Sequence, residues 1–467
     1  MIPINPIIVT GAHLALATAV SVHVLLYKRE TGTASAWIGL AWFAPILGSL
    51  LYWLLGINRV RRRAQRWRAT HKAPGTDASA ASASRDDHLA PLERAGLNIS
   101  QRRTESGNRL QLLAGGDAAY AAMIAAIDAA TSSIALSSYI FRTDSAGTAF
   151  LDALARASKR GVELRVLIDG VGGGYLHSGA TARLRETQVP VARFMHSALP
   201  WRMPFINLRN HRKILGVDGR IAFAGGLNIG AENLRRRQRR QAVVDTHFRI
   251  DGPVVAQLID VFAQDWLYTT GERLSGEAWF PTLAAAGDSS ARVITSGPDQ
   301  DIDKIELMLL EAIGCARATI RIQTPYFLPD ERLITALALA SYRGVAVEII
   351  LPERSNHFAV DWATRAHIGP LLTAGCRVWT HPPPFDHSKL LTVDGLWCLV
   401  GSTNWDMRSF RLNFEVAVEI YHSELVADID LRISRARCAP LLVDALATRP
   451  VAVRLRDSAA RLLLPYL

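Results

Sequence analysis

The feature that most constrains the fold is an internal duplication: much of this 467-residue chain says the same thing twice. SSIALSSYIFRTD at 132–144 aligns with ATIRIQTPYFLPD at 318–330, and ALARASKRGVELRVLIDG at 153–170 aligns with ALALASYRGVAVEIILPE at 336–353. Each unit reads as an apolar strand, a helix with small and apolar residues at helical spacing, an Arg-Gly stop and a second β-rich run. Such units predict a layered α/β body with helices outside a sheet. Two copies at long period indicate duplication; a solenoid needs more repeats.

A second pair of segments carries the chemistry. NHRKILGVDGRIAFAGGLN at 210–228 and FDHSKLLTVDGLWCLVGSTNW at 385–405 share one pattern: His-x-Lys, four residues, Asp, then a Gly-Gly or Gly-Ser pair and x-Asn. The first set is His211, Lys213, Asp218, Gly225, Gly226 and Asn228; the second is His387, Lys389, Asp394, Gly401, Ser402 and Asn404. A His and a Lys two apart on a β run share one strand face. Burying both is costly unless an anion sits there. A phosphodiester fits, because its non-bridging oxygens need charge compensation as the pentacoordinate state forms. Two histidines suit a covalent route in which one attacks phosphorus and the other protonates the leaving oxygen, then deprotonates the incoming hydroxyl. Lysines do the charge work, so no metal and no cofactor is expected.

The net charge of +11 suggests nucleic acid until it is located. Seven basic residues fall between Arg59 and Lys72 with no acid among them, and five arginines fall between Arg235 and Arg240. Without these two clusters the chain is within one charge of neutral. A nucleic-acid partner is therefore not expected, since polyanion tracking needs a broad basic groove. Cys315, Cys376, Cys398 and Cys438 lack metal-ligand or disulfide spacing and read as reduced residues.

Hydrophobic residues make up 49% of the chain, and mean hydropathy is +0.12, so membrane segments are to be sought. Ile7–Tyr27 is about one span long, and the uncharged run from Ala36 to Ile57 is a second, with aromatic residues near its ends. The eight residues Lys28–Ser35 between them predict a two-helix transmembrane hairpin. The Arg-rich stretch that follows predicts both chain ends inside, with Lys28–Ser35 outside. APGTDASAASAS at 73–84 reads as a flexible tether. The expected organisation is a hairpin and basic segment at 1–72, a linker at 73–90, and repeats at 91–285 and 286–467.

Both chemistry segments carry the HxKxxxxD signature of the phospholipase D superfamily. Further stretches are similar to its bacterial cardiolipin synthases: SYIFR at 138–142, RNHRK at 209–213, DTHFRIDGPVV at 245–255, FAQDW at 262–266, QTPYFLPDE at 323–331 and LVGSTNWDMRSFRLNFE at 399–415. The N-terminal hairpin also fits that family. The resemblance covers nearly the whole chain. It implies a two-repeat phospholipase D fold, an α/β/α sandwich, that joins two phosphatidylglycerols into cardiolipin and glycerol through a phosphatidyl-histidine at the cytoplasmic membrane. It implies His211 as nucleophile and His387 as acid/base. Lys213, Lys389, Asn228 and Asn404 would hold phosphate, with Ser402 as a helper, and Asp218 and Asp394 would brace turns. Asp245 and Glu415 are, by family position, candidates to orient the histidines, each the one in the opposite half. Rival readings keep the site and change the acceptor or donor (a phospholipase D or another transphosphatidylase), or make the chain a membrane-tethered nuclease.

Three other stretches stand out. DGVGGG at 169–174 fits neither a dinucleotide loop nor a P-loop and reads as an ordinary loop. LPWRMPFINL at 199–208 and the C-terminal RLLLPYL are apolar enough to meet either a core or a membrane surface.

Overall fold

The computed structural model describes residues 6–28, 31–56, 87–196, 208–234, 242–299 and 301–462. The basic stretch 59–72, the tether 73–84, most of 199–208, the Arg235–Arg240 cluster and residues 463–467 lie outside the described residues. Of the described residues, those from 6 to 56 belong to one compact unit and those from 87 on to another.

In the first unit the helix Pro6–Tyr27 is long and apolar enough to cross a bilayer, and among the described residues it alone is. The second apolar run is not one helix. Thr31–Phe43 stops, Ala44–Ile46 turn, and Leu47–Leu51 resumes before a single wide turn, Tyr52–Gly56. Pro45 supplies no N–H and its ring excludes the carbonyl of the preceding turn; Ile46 takes φ 63°. The pieces nonetheless pack together, Ala17, Val20 and Val24 clustering with Ala41 and Tyr52. Polar links cross between them, among them the Tyr52 hydroxyl to His23 Nδ1 at 2.6 Å, Trp42 Nε1 donating to Ser21 Oγ at 3.0 Å and His13 Nε2 to the Trp42 carbonyl at 3.2 Å.

The body is built on one mixed sheet, sixteen-stranded among the described residues. Its first half contributes β1 (Glu105–Ala114), β2 (Ser133–Ser138), β3 (Glu163–Asp169), β4 (Val191–Phe194), β5 (Ile214–Val217), β6 (Ile221–Gly225) and β7 (Thr246–Asp251). The second half contributes β8 (Ser289–Ser296), β9 (Thr319–Gln323), β10 (Ala346–Pro352), β11 (Arg377–His381), β12 (Leu390–Val393), β13 (Trp397–Gly401) and β14 (Asn413–Tyr421). The order β4-β3-β2-β5-β6-β7-β1 continues as β8-β14-β13-β12-β9-β10-β11, a palindrome that joins where β1 pairs antiparallel with β8. Duplication in sequence has become an approximate two-fold in space.

The duplicated residues explain the local structure. Asp144 and Asp330, which end the first aligned stretch, are helix N-caps: Asp144 accepts from the amides of Ala146 and Gly147, Asp330 from Leu333. The helices Ser145–Lys159 and Glu331–Tyr342 then return the chain to β3 and β10, each parallel to its predecessor. Gly161 and Gly344 end these helices at φ 85° and 92°, a region glycine enters without strain. The preceding Arg160 and Arg343 each donate at 2.8 Å to a carbonyl of the neighbouring helix, Ile127 and Ile313 respectively. Helices cover both faces. Val255–Thr270 and Ser423–Ala436 share the central core, where Leu258 and Phe262 lie in one cluster with Ile429 and Ile433.

Chain order and packing diverge at the start of the body. The helix Ala90–Ser100 lies at the start of the stretch expected to form the first repeat, yet Leu89 and Leu92 bury among Ile305, Met308 and Leu309 of the second. Arg292, which pairs with Glu419 at 2.9 Å, also donates to the Glu93 carbonyl.

Candidate active site

Each His-x-Lys segment lies just before a strand, β5 or β12, not within it. What holds it is the other half. Arg209–Asn210 pair in parallel with Asn413–Phe414 at the start of β14, and the His211 amide donates to the Phe414 carbonyl at 2.9 Å. Phe385–Asp386 pair likewise with Val243–Val244, and the His387 amide donates to the Val244 carbonyl at 2.6 Å. The residue after each accepting carbonyl carries a carboxylate, Glu415 in one case and Asp245 in the other. Glu415 thus meets His211 Nδ1 at 3.0 Å, and Asp245 meets His387 Nδ1 at 2.8 Å. Both carboxylates are buried, at 0% and 1% exposure.

Glu415 is braced on several sides. Asn413 Nδ2 donates to it at 3.0 Å, and the Ser402 hydroxyl donates to its other oxygen. Ser402 also accepts from the Val416 amide at 3.1 Å, so its hydroxyl is committed to the carboxylate and strand. The matching position in the first half is Gly226, where a Cβ would collide with the Asp245 carboxylate. The Gly-Gly versus Gly-Ser difference therefore follows from which carboxylate sits above it.

Lys213 Nζ donates to the His211 carbonyl at 2.7 Å; Lys389 Nζ reaches its own His387, including Nδ1 at 2.7 Å, and lies 3.8 Å from Asp245. Burial pushes both ammoniums down, Lys213 to about 7 and Lys389 to about 8, with the carboxylates acting the other way. Burial also lowers His211, against Glu415, and lowers His387 to about 4, with Lys389 adding to the shift. For Asp245 burial acts upward, but Lys389 and then His387 outweigh it and hold the carboxyl below its usual range. Glu415 is likewise lowered against burial, by His211 and Lys213. The site sets two poorly solvated lysines beside two neutral imidazoles, a combination that an anion would relieve.

Asn228 Oδ1 accepts from the Ile140 amide at 3.3 Å, which leaves its NH2 group to point elsewhere. Asn404 is buried, and its Oδ1 accepts no hydrogen bond among the described residues. Asp218 and Asp394 lie apart from the histidines. Each is in the left-handed region (φ 53° and 54°) at the start of a three-residue hairpin loop, about 16 Å along an extended strand from its lysine. Asp218 gathers the amides of Thr131, Ser132 and Ser133, and Asp394 those of Arg317, Ala318 and Thr319. Asp394 also meets His88 Nε2 at 2.7 Å. Asp218→Ala is therefore expected to destabilise the body by about 1–3 kcal/mol, since three amides lose one acceptor. An equal midpoint in urea unfolding for variant and parent would contradict this.

Two aromatic residues next to the histidines were not singled out by sequence. The Tyr139 ring stands edge-on to His211 at 5.0 Å with Lys213 Nζ 5.3 Å over it, and Tyr326 stands edge-on to His387 at 6.0 Å. The ungapped repeat sets Tyr139 against Pro325, one position short of Tyr326, so the duplication does not pair them. Proximity to both motifs through β2 and β9 is the signal that finds them.

A duplicated sheet that brings two His-x-Lys segments together, each histidine backed by a buried carboxylate from the other half, defines a phospholipase D-like protein. Comparison with known proteins narrows this. The family model described as cardiolipin synthase, PLD-like domain matches residues 123–266 and 309–436, and the chain belongs to that family. A phospholipase D-nuclease N-terminal model matches residues 15–56. A cardiolipin synthase of Geobacillus thermodenitrificans is 33% identical over 95% of this chain and 90% of its own length. The major cardiolipin synthase of Bacillus subtilis is 31% identical over 94% and 95%. Among solved structures, the phosphatidylserine synthase of Haemophilus influenzae superposes with a TM-score of 0.60 at 16% identity, covering 80% of this chain and all of that one; it attests the fold alone.

Proposed function

We propose that the protein is a cardiolipin synthase that moves a phosphatidyl group from one phosphatidylglycerol to another and releases glycerol. The observation that carries the reading is the pair of histidines, each with its own buried carboxylate on Nδ1. A carboxylate on Nδ1 fixes the tautomer and stabilises a cationic imidazole, leaving Nε2 for chemistry. In this reading His211 Nε2 attacks phosphorus and forms a phosphatidyl-histidine, while His387 protonates the departing glycerol oxygen. His387 then takes the proton of the acceptor's glycerol hydroxyl as that oxygen displaces His211. Lys213 and Lys389 hold the non-bridging oxygens, with the amides of Asn228 and Asn404 as further donors. A bound phosphate raises the lysines and His387 toward their charged forms, which burial disfavours. Ser402 acts through Glu415 as a positioning residue, and Asp218 and Asp394 act on the scaffold.

The same reading puts both N-terminal apolar segments in the bilayer, with the body on the cytoplasmic face where two-tailed substrates lie. Arg-rich sequence at 59–72 favours that orientation at roughly 1 kcal/mol per basic residue near anionic lipid. The test uses full-length protein in vesicles of labelled phosphatidylglycerol: cardiolipin and glycerol should appear together. Phosphatidic acid as the main product would make the protein a hydrolase. In cells, a cysteine at Ser35 should react with an impermeant maleimide from outside; protection there would reverse the orientation.

A further inference from the structure

The loops that leave β3 and β10 occupy matching places in the two halves, and each is tied to one of the histidines. Asp169, the last residue of β3, accepts from the Val171 and Gly172 amides at 2.9 and 2.7 Å. Its other oxygen accepts from the Asn210 amide at 2.7 Å, so one carboxylate joins this loop to the residue before His211. Gly172 lies so close to Tyr139 that a Cβ would fall 2.4 Å from the ring, and Tyr139 is the ring edge-on to His211. Arg193 Nη2 holds the base of the loop, donating to the Gly170 and Tyr175 carbonyls at 2.7 and 3.2 Å. In the second half the Tyr326 hydroxyl donates to Asn356 Oδ1, and its ring lies 5.7 Å from His357 and 6.0 Å from His387.

What each loop holds out is apolar. Leu176 is 91% exposed, more than any other large apolar side chain among the described residues. Phe358, which opens the helix Phe358–His367, is 68% exposed, its ring 4.8 Å from that of Trp362. Single exposed apolar residues are ordinary. These two stand on matching loops, each beside a histidine. The helix Val451–Arg461 adds to the second tip. Its Ala460 clusters with Val360, its Arg456 stands 4.3 Å over Trp362, and Arg449 just before it donates to the Arg365 carbonyl at 3.5 Å. The two helices therefore run antiparallel, which brings Leu462, 78% exposed, to the Phe358 end. Arg454 and Arg461, both exposed, put positive charge on the same helix.

We propose that the Leu176 and Phe358 tips dock the histidine-bearing end of the body onto an anionic lipid bilayer, one tip entering the surface beside each histidine; this rests on the cardiolipin synthase reading. Both phosphatidylglycerols keep their acyl chains in the bilayer, so their phosphates reach the histidines only where this end of the body meets the surface. Leucine and phenylalanine gain by entering the boundary between headgroups and acyl chains, and exposed arginines meet anionic headgroups. Donor and acceptor must arrive from the same surface, and a docking edge repeated by the two-fold serves both.

The test places a nitrobenzoxadiazole probe on full-length Leu176→Cys or Phe358→Cys in phosphatidylglycerol vesicles. A Cys315→Ser, Cys438→Ser background leaves only the buried Cys376 and Cys398. Both probes should be quenched by brominated acyl chains and shielded from aqueous iodide. A probe at exposed Lys159, at the opposite end of the strands, should show the reverse. A tip probe open to iodide, or shielded from it without quenching by lipid as a protein contact would give, overturns the docking face. Leu176→Asp and Phe358→Asp should each lower cardiolipin formation from vesicle lipid at least about tenfold. Turnover of water-soluble dihexanoyl phosphatidylglycerol by the detergent-solubilised variants should stay at the parent level. No loss, or an equal loss on both substrates, also overturns the proposal. The probes need no turnover, so a parent that docks yet forms no cardiolipin fails the synthase reading instead.

Discussion

His211→Ala and His387→Ala should each lower cardiolipin formation by at least about a thousandfold, and they should fail in different ways. A positioned general acid or base contributes roughly 10²–10⁴ to rate, and loss of the nucleophile removes the covalent route altogether. The two roles separate with a donor whose leaving group needs no proton, such as a phosphatidyl nitrophenol. His387→Ala should still release nitrophenol and accumulate a phosphatidyl-enzyme on acid quench. His211→Ala should do neither. The reverse pattern would exchange the two roles, and near-parental cardiolipin formation by either variant would sink the two-histidine mechanism.

The second large effect is expected at the carboxylates. Asp245→Asn keeps the shape of the side chain but leaves His387 and Lys389 without the charge that offsets their burial. Removing one partner of a buried ion pair costs about 3–5 kcal/mol, so a loss of roughly a hundredfold or more in kcat/KM is expected. The pH profile shows why. In the parent the lysines lose their protons near 7 and 8, so kcat/KM should decline as pH rises through that interval. Asp245 raises the Lys389 value, hence its removal lowers it, and the ammonium is lost at lower pH. The alkaline limb of Asp245→Asn should therefore move toward acid. Glu415→Gln should do the same through Lys213. A reduced rate with an unmoved limb would assign these carboxylates to folding alone.

What was legible in the sequence is what short-range physics writes there. Arg-Gly helix stops and the apolar patterning of strands and helices each depend on residues a few positions apart, and duplication doubled every signal. The His-x-Lys pairs are visible for the same reason: two unlike basic groups on an apolar run call for an anion. Other features were not visible. The break at Pro45 lies inside a run whose hydropathy alone reads as one span. The helix Ala90–Ser100 opens the stretch expected for one repeat and packs on the other, because apolar burial follows surface and not chain order.

By itself, then, the sequence determined that the chain would build two like α/β units, each presenting a histidine and a lysine on one face of a β-rich run. Only the tertiary structure decided what those groups face. His211 and Glu415 are 204 residues apart and His387 and Asp245 are 142 apart. Their meeting depends on β1 pairing with β8 and on each motif lying in register beside a strand of the other half. A shift of one residue in either parallel pairing would carry the carboxylate to the opposite strand face and leave the imidazole without its partner. Register across the two-fold, which no local pattern encodes, turns two similar halves into one site.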